Sequence, residues 1–187
     1  AQLDAAADLE GLQSQEKKAQ AAYMAEAKTL TKARTKAAPL LAQAITQAMQ
    51  GLGMQGGKFQ VTLEPSAQPQ QSGLEDVAFL VAGHAGSTPR PVGKVASGGE
   101  LSRMALAIAV TTSQLGTAQT LIFDEVDSGV GGAVAETVGR LMKQLGTDRQ
   151  VLAVTHLPQV AACADHHFVV GMQMQGGRER SDVGVVT

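Results

Sequence analysis

The spacing of apolar residues over the first fifty positions predicts a long helix. This segment is rich in Ala, Gln, Lys and Glu and poor in β-branched residues, a composition that favours helix. A heptad frame places apolar side chains at nine of its twelve seam positions, which indicates a coiled-coil arm of about 75 Å if the helix is continuous. An ordinary amphipathic helix packed on its own domain is the alternative. Pro39 predicts a kink or restart near Ala37 and Ala38, since proline removes a helical hydrogen bond.

Downstream of residue 50 the apolar spacing alternates between strand and helix periods. Residues 59–64 and 76–81 predict two strands, joined by a Pro-, Gln- and Ser-rich loop at 65–73 that we expect to be mobile. Strands that alternate with helices further on imply a mainly parallel sheet with flanking helices. We therefore predict two units, a coiled-coil arm at 1–50 and an α/β domain at 51–187. After an irregular stretch at 83–92, the predicted elements are helices at 99–115, 132–145 and 158–164, strands at 119–124, 150–155, 167–171 and 182–186, and a turn at Gly176 and Gly177.

Composition excludes several classes of protein. The 187 residues carry 15 basic and 17 acidic side chains, a balance that gives no bulk signal for binding a polyanion. Cys163 is the sole cysteine, which rules out an internal disulfide framework and fits a reducing cytoplasm. No apolar run approaches the roughly 18 residues of a membrane helix, and no signal-peptide pattern opens the chain. Because the chain begins without Met, we expect a segment of a longer protein.

A Ser-Gly-Gly turn opens the helix predicted after the second irregular stretch. Ser97 and Glu100 have the spacing of a capping box, which accounts for both residues without a ligand. Gly98 and Gly99 need a further reason, since glycine in a helix costs up to about 1 kcal/mol relative to alanine. Free amides at a helix start attract an anion, and the missing side chains let a phosphate approach closely. We therefore favour a phosphate-binding turn over a plain cap.

Polar side chains end two of the predicted strands. Asp124 and Glu125 follow one apolar strand, and His156 closes the next. Open α/β sheets bind ligands at the carboxyl ends of their strands. Asp124 suits Mg²⁺ reached through water, and Glu125 suits a base that activates a water for attack on a γ-phosphate. His156, on the same edge, suits a hydrogen bond to that phosphate. Helix-cap acids and a structural histidine are the plainer alternatives.

Three short motifs make the pattern specific. Ala-Ser-Gly-Gly-Glu, Phe-Asp-Glu-Val-Asp-Ser-Gly-Val-Gly-Gly and Thr-His-Leu-Pro-Gln-Val-Ala resemble the carboxy-terminal head segment of the RecN family, over about residues 90–171. That family comprises bacterial double-strand-break repair ATPases that are related to SMC proteins and have heads of the ABC ATPase class. The resemblance implies the carboxy-terminal lobe of an ABC-type (P-loop NTPase) head. It also implies ATP and Mg²⁺ as cofactors, double-stranded DNA and its ends as a partner, and a cytoplasmic, nucleoid-associated location.

The same resemblance implies a role for each motif. Residues 97–100 would form the signature motif, which contacts ATP held by the second head of a homodimer. Asp124 would be the Walker B carboxylate, Glu125 the catalytic glutamate and His156 the switch histidine. Asp127, Ser128 and Gly129 would begin a dimer-facing turn, which departs from the wider class in lacking a terminal Asp.

The sequence lacks a phosphate-wrapping loop with its lysine. Residues 53–59 resemble one superficially, but a spacer is missing and Phe59 stands where Ser or Thr is required. We therefore expect an amino-terminal lobe of the same protein to supply this Walker A loop, and this chain alone to be inactive. A coiled-coil scaffold whose heads dimerise without hydrolysis is the alternative function, and a transporter ATPase is disfavoured by the polar arm and by Glu100. The basic residues Lys28, Lys32, Arg34 and Lys36 are interpreted as a solvated helix face, with DNA-backbone contact as the alternative.

Overall fold

The structure, a computed structural model, describes residues 2–95, 97–113, 115–116, 118–175 and 178–186. The side chains of residues 2–7, 175 and 178 are outside this description. The turn predicted at Gly176 and Gly177 lies outside the described residues.

Helix α1 spans Gln2–Gln50 and runs on through Pro39. The predicted restart at this proline is therefore wrong. Residues 8–22 are exposed on every side, whereas Ala27, Ile45 and Met49 in the rest of the helix are buried against the body of the protein. Burying an apolar side chain stabilises by about 1.5–3 kcal/mol, so this packing offsets the hydrogen bond that proline removes.

An antiparallel hairpin follows the helix. Strand β1 spans Lys58–Gln70 and β2 spans Gly73–Ala82, with Lys58 opposite Ala82 and Pro65 opposite Glu75. The register is irregular between Pro65 and Gln70, and pairing resumes at Gln70 and Gly73. The loop predicted at 65–73 is thus largely strand, and its exposed tip is tied to α1 by the Tyr23 hydroxyl, which donates to the carbonyls of Gln70 and Gly73. A third short strand, β3 (Arg90–Pro91), pairs with β2 and leads into a 3₁₀ helix at Val92–Lys94.

A strand–helix–strand unit forms the centre of the second half. Helix α2 spans Gly98–Thr111, β4 spans Thr120–Phe123, α3 spans Gly132–Leu145 and β5 spans Gln150–Ala153. Strands β4 and β5 are parallel, with Phe123 opposite Ala153, so both strands end at the same edge of the sheet. The short helix α4 (Pro158–Ala161) follows.

The last two strands form a separate hairpin. Strand β6 spans His167–Gln175 and β7 spans Arg178–Val186, paired antiparallel with His167 opposite Val186. Among the described residues, β4 and β5 are the parallel pair and the other strands pair antiparallel, which corrects the prediction of a mainly parallel sheet. Many apolar side chains of this hairpin are exposed, among them Phe168, Val170, Met172, Met174 and Val185.

One apolar core joins the second half of α1 to α2, α3 and the turn after β4. This core fixes the start of α2 against that turn, and so sets the geometry of the candidate site. Judged over the described residues, each helix is too short or too polar to cross a lipid bilayer. The most deeply buried members of the core are Ile45, Met49, Leu52, Met54, Met104, Leu106, Val126 and Val138.

Candidate nucleotide site

The start of α2 is capped by Ser97. Its backbone is extended, with φ −109°, and its Oγ accepts a hydrogen bond from the backbone N–H of Glu100 at 3.3 Å. The backbone N–H of Leu101 donates to the Ser97 carbonyl at 3.0 Å. The Ser97 half of the capping box expected from the spacing is therefore present, whereas the Glu100 side chain contacts His84 instead. A capped helix start still directs amides outward, and Ser97 and Gly98 are exposed, so the cap and an anion site are compatible.

Gly98 and Gly99 lie directly against the turn that follows β4. A Cβ atom on Gly99 would lie 2.8 Å from the backbone oxygen of Ser128, closer than real Cβ atoms come to any neighbour. A Cβ atom on Gly98 would meet the carboxylate of Glu125. The absent side chains therefore let the helix start and the turn approach each other within one chain.

The two carboxylates after β4 occupy the predicted strand end. Asp124 and Glu125 are both exposed, and the Asp124 carbonyl accepts a hydrogen bond from the Ser102 hydroxyl of α2. Glu125 has φ +54°, in the left-handed region that costs a non-glycine residue about 1–2 kcal/mol. Strained backbone of this kind clusters at functional sites. The Glu125 carboxylate lies beside Gly98, where the strand end meets the helix start.

The exposed carboxylate of Asp124 fits Mg²⁺, which prefers oxygen ligands and keeps several waters. Over the described ranges, no group of three or more His, Cys, Asp or Glu side chains could hold a metal ion. An ion at Asp124 would therefore complete its coordination with water and phosphate oxygens, as in nucleotide sites generally.

Arg103 ties α2 to the turn from beneath. Its guanidinium is buried, and Nη1 donates to the backbone oxygen of Ser128 at 2.7 Å and to that of Val126 at 3.5 Å. Burial lowers the pKa of Arg103, while the nearby charge of Glu100 opposes the shift. Its Nε is buried without a hydrogen-bond partner among the described residues. Sequence reasoning missed Arg103, although a single charge within the apolar run 101–110 was an available signal.

Asp127 points into the protein. It is 2% exposed, and its Oδ2 accepts hydrogen bonds from the Thr155 hydroxyl and from the backbone N–H groups of His156 (3.1 Å) and Leu157 (3.3 Å). This placement differs from the dimer-facing position predicted for Asp127, because the carboxylate is used inside the chain. Ser128 and Gly129 of the same turn are exposed, and their dimer-facing position stays a prediction.

Burial acts to raise the pKa of Asp127, but the hydrogen bonds and the neighbouring His156 ring outweigh it and lower the pKa. Asp127 is therefore ionised in the folded chain at neutral pH. Because the pKa of Asp127 is lower in the folded chain than in the unfolded chain, its ionisation stabilises the fold at pH values above the ordinary carboxyl pKa, near 4. This stabilisation is lost as the pH falls through the pKa of the folded chain.

His156 stands at the same sheet edge as the carboxylates. The backbone N–H of Val154 donates to the Phe123 carbonyl at 3.0 Å, so the parallel pairing continues to the point where both segments leave the sheet. The His156 side chain is 71% exposed, and its Nδ1 lies 3.4 Å from Oδ1 of Asp127. The two strand ends thus meet at one edge, as the sequence predicted, and the start of α2 lies against Glu125 at that edge.

Glu100 faces away from the carboxylates. Its Oε1 lies 3.2 Å from Nε2 of His84, and it lines a cavity between β2 and α2 together with Arg90 and Lys94. Nothing in the sequence indicated His84, Arg90 and Lys94 at this place, because no local motif marks them.

The class of protein follows from the fold. An Smc head domain with a coiled coil and joint from Pyrococcus yayanosii matches with a TM-score of 0.63 and 23% identity, over 99% of this chain and 34% of that one. An Smc head domain from Pyrococcus furiosus, with an extended coiled coil and bound to the C-terminal domain of ScpA, matches with a TM-score of 0.54 and 21% identity, over 94% of this chain and 44% of that one. The chain therefore has the fold of an SMC head lobe, which confirms the α/β ABC-type fold class.

Sequence comparison places the chain more narrowly. A DNA repair protein RecN of Xylella fastidiosa is 47% identical over 146 residues, covering 77% of this chain and 26% of the relative. RecN of Vibrio cholerae is 43% identical over 162 residues, with 86% and 29% covered. RecN of Haemophilus influenzae is 44% identical over 169 residues, with 90% and 30% covered. No protein-family model matches the chain. The chain belongs to the RecN family, and it spans less than a third of the length of the curated relatives it matches.

Proposed function

We propose that this chain is the carboxy-terminal lobe of the ATPase head of a RecN-type DNA-repair protein. The observation that carries the proposal is the meeting of the α2 start, the β4 carboxylates and His156 at one sheet edge. The chain spans 30% or less of the length of each relative. In the proposal this part carries the groups for catalysis and for contact with a second head. In this proposal the Walker A loop comes from an amino-terminal lobe, so the chain alone does not hydrolyse ATP.

Each residue of the edge has a distinct task in the proposed reaction. Asp124 holds Mg²⁺ through water, and bound Mg²⁺ supplies positive charge that neutralises the phosphate oxygens. Glu125 orients and deprotonates the water that attacks the γ-phosphate of ATP. His156 donates a hydrogen bond to the same phosphate. The exposure of Asp124, Glu125 and His156 supports these roles, because each group is open to a ligand at this edge.

The start of α2 serves a different ATP in the proposed dimer. Residues 97–100 would contact the nucleotide held by a second head, and Ser128 and Gly129 would lie at the junction between heads. Two features support this division. Ser97 and Gly98 are exposed, and Glu125 of the same chain already occupies the space beside Gly98. A signature motif that works across the interface leaves its own chain's carboxylates free for the other nucleotide.

Exposed apolar side chains on β4 and on the β6–β7 hairpin support an additional lobe. Ile122 of β4 is 70% exposed and Val170 of β6 is 70% exposed, although apolar residues in such strands are ordinarily buried. Large exposed apolar patches mark interaction surfaces. We assign this surface to the amino-terminal lobe, which would extend the parallel pair β4–β5 and complete the nucleotide site.

The remaining parts of the proposal concern the whole protein. The relatives carry the name DNA repair protein, so we propose double-stranded DNA and its ends as the partner and the cytoplasm, with the nucleoid, as the location. We keep residues 51–187 as the head lobe and 1–50 as the end of the arm, with residues 8–22 as its projecting part because they are exposed on all sides. Of the basic stretch, Arg34 pairs with Glu75 at 3.2 Å, whereas Lys28, Lys32 and Lys36 are exposed.

Glu125→Gln in the full-length protein tests the proposed activity. The amide keeps the shape of the side chain but cannot take a proton, so we expect kcat for ATP hydrolysis to fall about 100-fold or more. ATP affinity should stay within about twofold of wild type, because Glu125 acts on the water rather than on nucleotide binding. Phosphate release and nucleotide binding would be measured on the same preparations.

Glu136→Gln is the matched control, since Glu136 is an exposed carboxylate on α3 to which the proposal gives no role. It should hydrolyse ATP at the wild-type rate. Turnover by Glu125→Gln near the wild-type rate would remove Glu125 from the base role. A wild-type protein that binds ATP and dimerises without hydrolysis would favour the scaffold function instead.

A further inference from the structure

The carboxylate of Asp127 has two faces with different partners. Oδ2 takes three donors from one segment, namely the Thr155 hydroxyl and the backbone N–H groups of His156 and Leu157. Oδ1 lies 3.4 Å from Nδ1 of the His156 ring. One buried side chain of the turn after β4 thus contacts both the backbone and the ring of His156, in the segment that follows β5.

A purely structural role explains only the Oδ2 face. Three hydrogen bonds from residues 155–157 fix the backbone that follows β5 and offset the cost of burying a charge. The Oδ1 contact adds nothing to that backbone, yet it joins a group that is 2% exposed to a ring that is 71% exposed. The inner edge of the ring therefore lies beside the carboxylate charge, while the rest of the ring is open to a ligand.

We propose that Asp127 is the positioning residue for His156, and that it selects which ring nitrogen meets the ligand. The negative charge beside Nδ1 favours a proton on that nitrogen, since the partner of one ring nitrogen sets the protonation of the other. Nε2, on the opposite side of the ring, then faces the ligand. The inference rests on the proposed function for the identity of that ligand, the γ-phosphate of ATP. Which ring nitrogen carries the proton does not depend on the identity of the ligand.

The consequence for the proposed reaction is electrostatic. Because Nδ1 carries the proton of the neutral ring, Nε2 can donate to the phosphate only when the ring carries a proton on both nitrogens. Such a ring donates to the phosphate through Nε2–H while Nδ1–H stays on Asp127. Asp127 connects the turn between the proposed heads to His156, so a shift of residues 127–129 would also move the ring.

The ring protonation can be read directly by NMR. The chain has four histidines, and the His156 signals are identified by their loss in His156→Gln. Long-range ¹H–¹⁵N spectra above pH 8 should show the neutral His156 ring with its proton on Nδ1. Asp127→Asn keeps an oxygen for the backbone donors and turns its NH₂ toward Nδ1, so the proton should move to Nε2. A wild-type ring protonated on Nε2 would overturn the proposal, whether or not the variant folds.

Thr155→Val is the matched control for the NMR experiment. It removes a donor from the same carboxylate but leaves the charge beside the ring, so the His156 proton should stay on Nδ1. A shift of the proton in Thr155→Val equal to that in Asp127→Asn would mean that loosening the loop suffices, which would contradict the assignment.

A double-mutant cycle in the full-length protein separates positioning from stability. We expect Asp127→Asn to lower kcat for ATP hydrolysis on the order of tenfold or more, with the KM for ATP within about twofold. In a His156→Ala background the same substitution should have no further effect, because its action runs through the ring. Equal losses in both backgrounds would assign Asp127 a structural role only.

The two experiments distinguish failure of this inference from failure of the proposed function. If the NMR result is as expected while His156→Ala hydrolyses ATP at the wild-type rate, Asp127 positions the ring but His156 has no part in hydrolysis. If the His156 proton is the same in wild type and Asp127→Asn, the positioning role falls regardless of ATPase activity.

Discussion

The two glycines at the start of α2 show how differently adjacent residues of one type are constrained. A Cβ atom on Gly99 would meet the backbone oxygen of Ser128. That oxygen also accepts a hydrogen bond from Nη1 of Arg103 at 2.7 Å. The neighbour of Gly98 is the end of the Glu125 side chain, which can rotate away. Sequence reasoning assigned both glycines to the approach of a phosphate. Packing within the chain is sufficient to require Gly99, whereas Gly98 is left for contact with a ligand.

At the residue scale, Gly99→Ala should destabilise the chain and Gly98→Ala should not. The new Cβ on residue 99 must displace the Ser128 carbonyl from its hydrogen bond with Arg103, so we expect a loss of about 1–3 kcal/mol in the free energy of unfolding. Gly98→Ala should stay within about 0.5 kcal/mol of wild type, because a flexible side chain moves and alanine favours the helix. Urea unfolding followed by circular dichroism compares the pair, and equal stability of the two variants would refute this account.

At the scale of elements, the β1–β2 hairpin braces α1 where the helix leaves the body of the protein. The Tyr23 hydroxyl lies 2.7 Å from the Gln70 carbonyl and 3.1 Å from that of Gly73, at the hairpin tip. Glu75 is buried, and its carboxylate accepts a hydrogen bond from Thr31 and pairs with Arg34 at 3.2 Å. Side chains spread over about three turns of α1 therefore hold the hairpin against the helix.

Tyr23→Phe should loosen the hairpin tip while leaving the helix intact. Removing the hydroxyl leaves the tip carbonyls to water and costs about 0.5–1.5 kcal/mol. We expect backbone amides of residues 68–74 to exchange with deuterium several-fold faster, in line with local opening. Thr29→Ala is the control, since its hydroxyl donates to Ala25 within the same helix. Unchanged exchange in Tyr23→Phe would show that the tip is held by other contacts.

At the scale of the whole molecule, the exposed groups fall into two surfaces with different proposed partners. The apolar side chains of β4–β5 and β6–β7 suit an amino-terminal lobe, because they would extend a core. The surface around Ser97, Ser128 and Gly129 is polar and glycine-rich, which suits a nucleotide shared with a second head. One lobe thereby serves two ATP sites in the proposed dimer.

Ser97→Arg in the full-length protein tests that division. A large cation at the helix start would obstruct the nucleotide of the other head, so we expect ATP-dependent dimerisation to weaken at least tenfold, equivalent to about 1.4 kcal/mol. ATP binding by single heads should change less than about twofold, since Ser97 does not serve its own nucleotide in the proposal. Sedimentation with and without ATP measures the first quantity, and nucleotide titration at low protein concentration measures the second.

Ser72→Arg places the same side chain at the exposed end of the β1–β2 hairpin and should dimerise as wild type does. Loss of ATP binding by the Ser97→Arg monomer would mean that this motif serves the nucleotide of its own head.

Local sequence patterns alone determined much of the secondary structure of this protein. The period of apolar residues predicts α3 at its observed bounds, Gly132–Leu145, and the strand that ends before Asp124. These features depend on neighbours a few residues apart, which a sequence displays directly. The meeting of the two strand ends also followed, because parallel strands leave a sheet at one edge.

Contacts between distant segments were decided only by the tertiary structure. Pro39 stays within one helix because the body of the protein packs on α1, and residues 65–70 become strand because Tyr23 holds the tip of the hairpin. Asp127 faces inward because donors 28 to 30 residues away converge on it. Each outcome depends on which surface a residue meets after folding, and the periodicity of a single segment does not contain that information. The chemical groups of the site were therefore visible in the sequence, whereas their division between ligand contact and internal support was not.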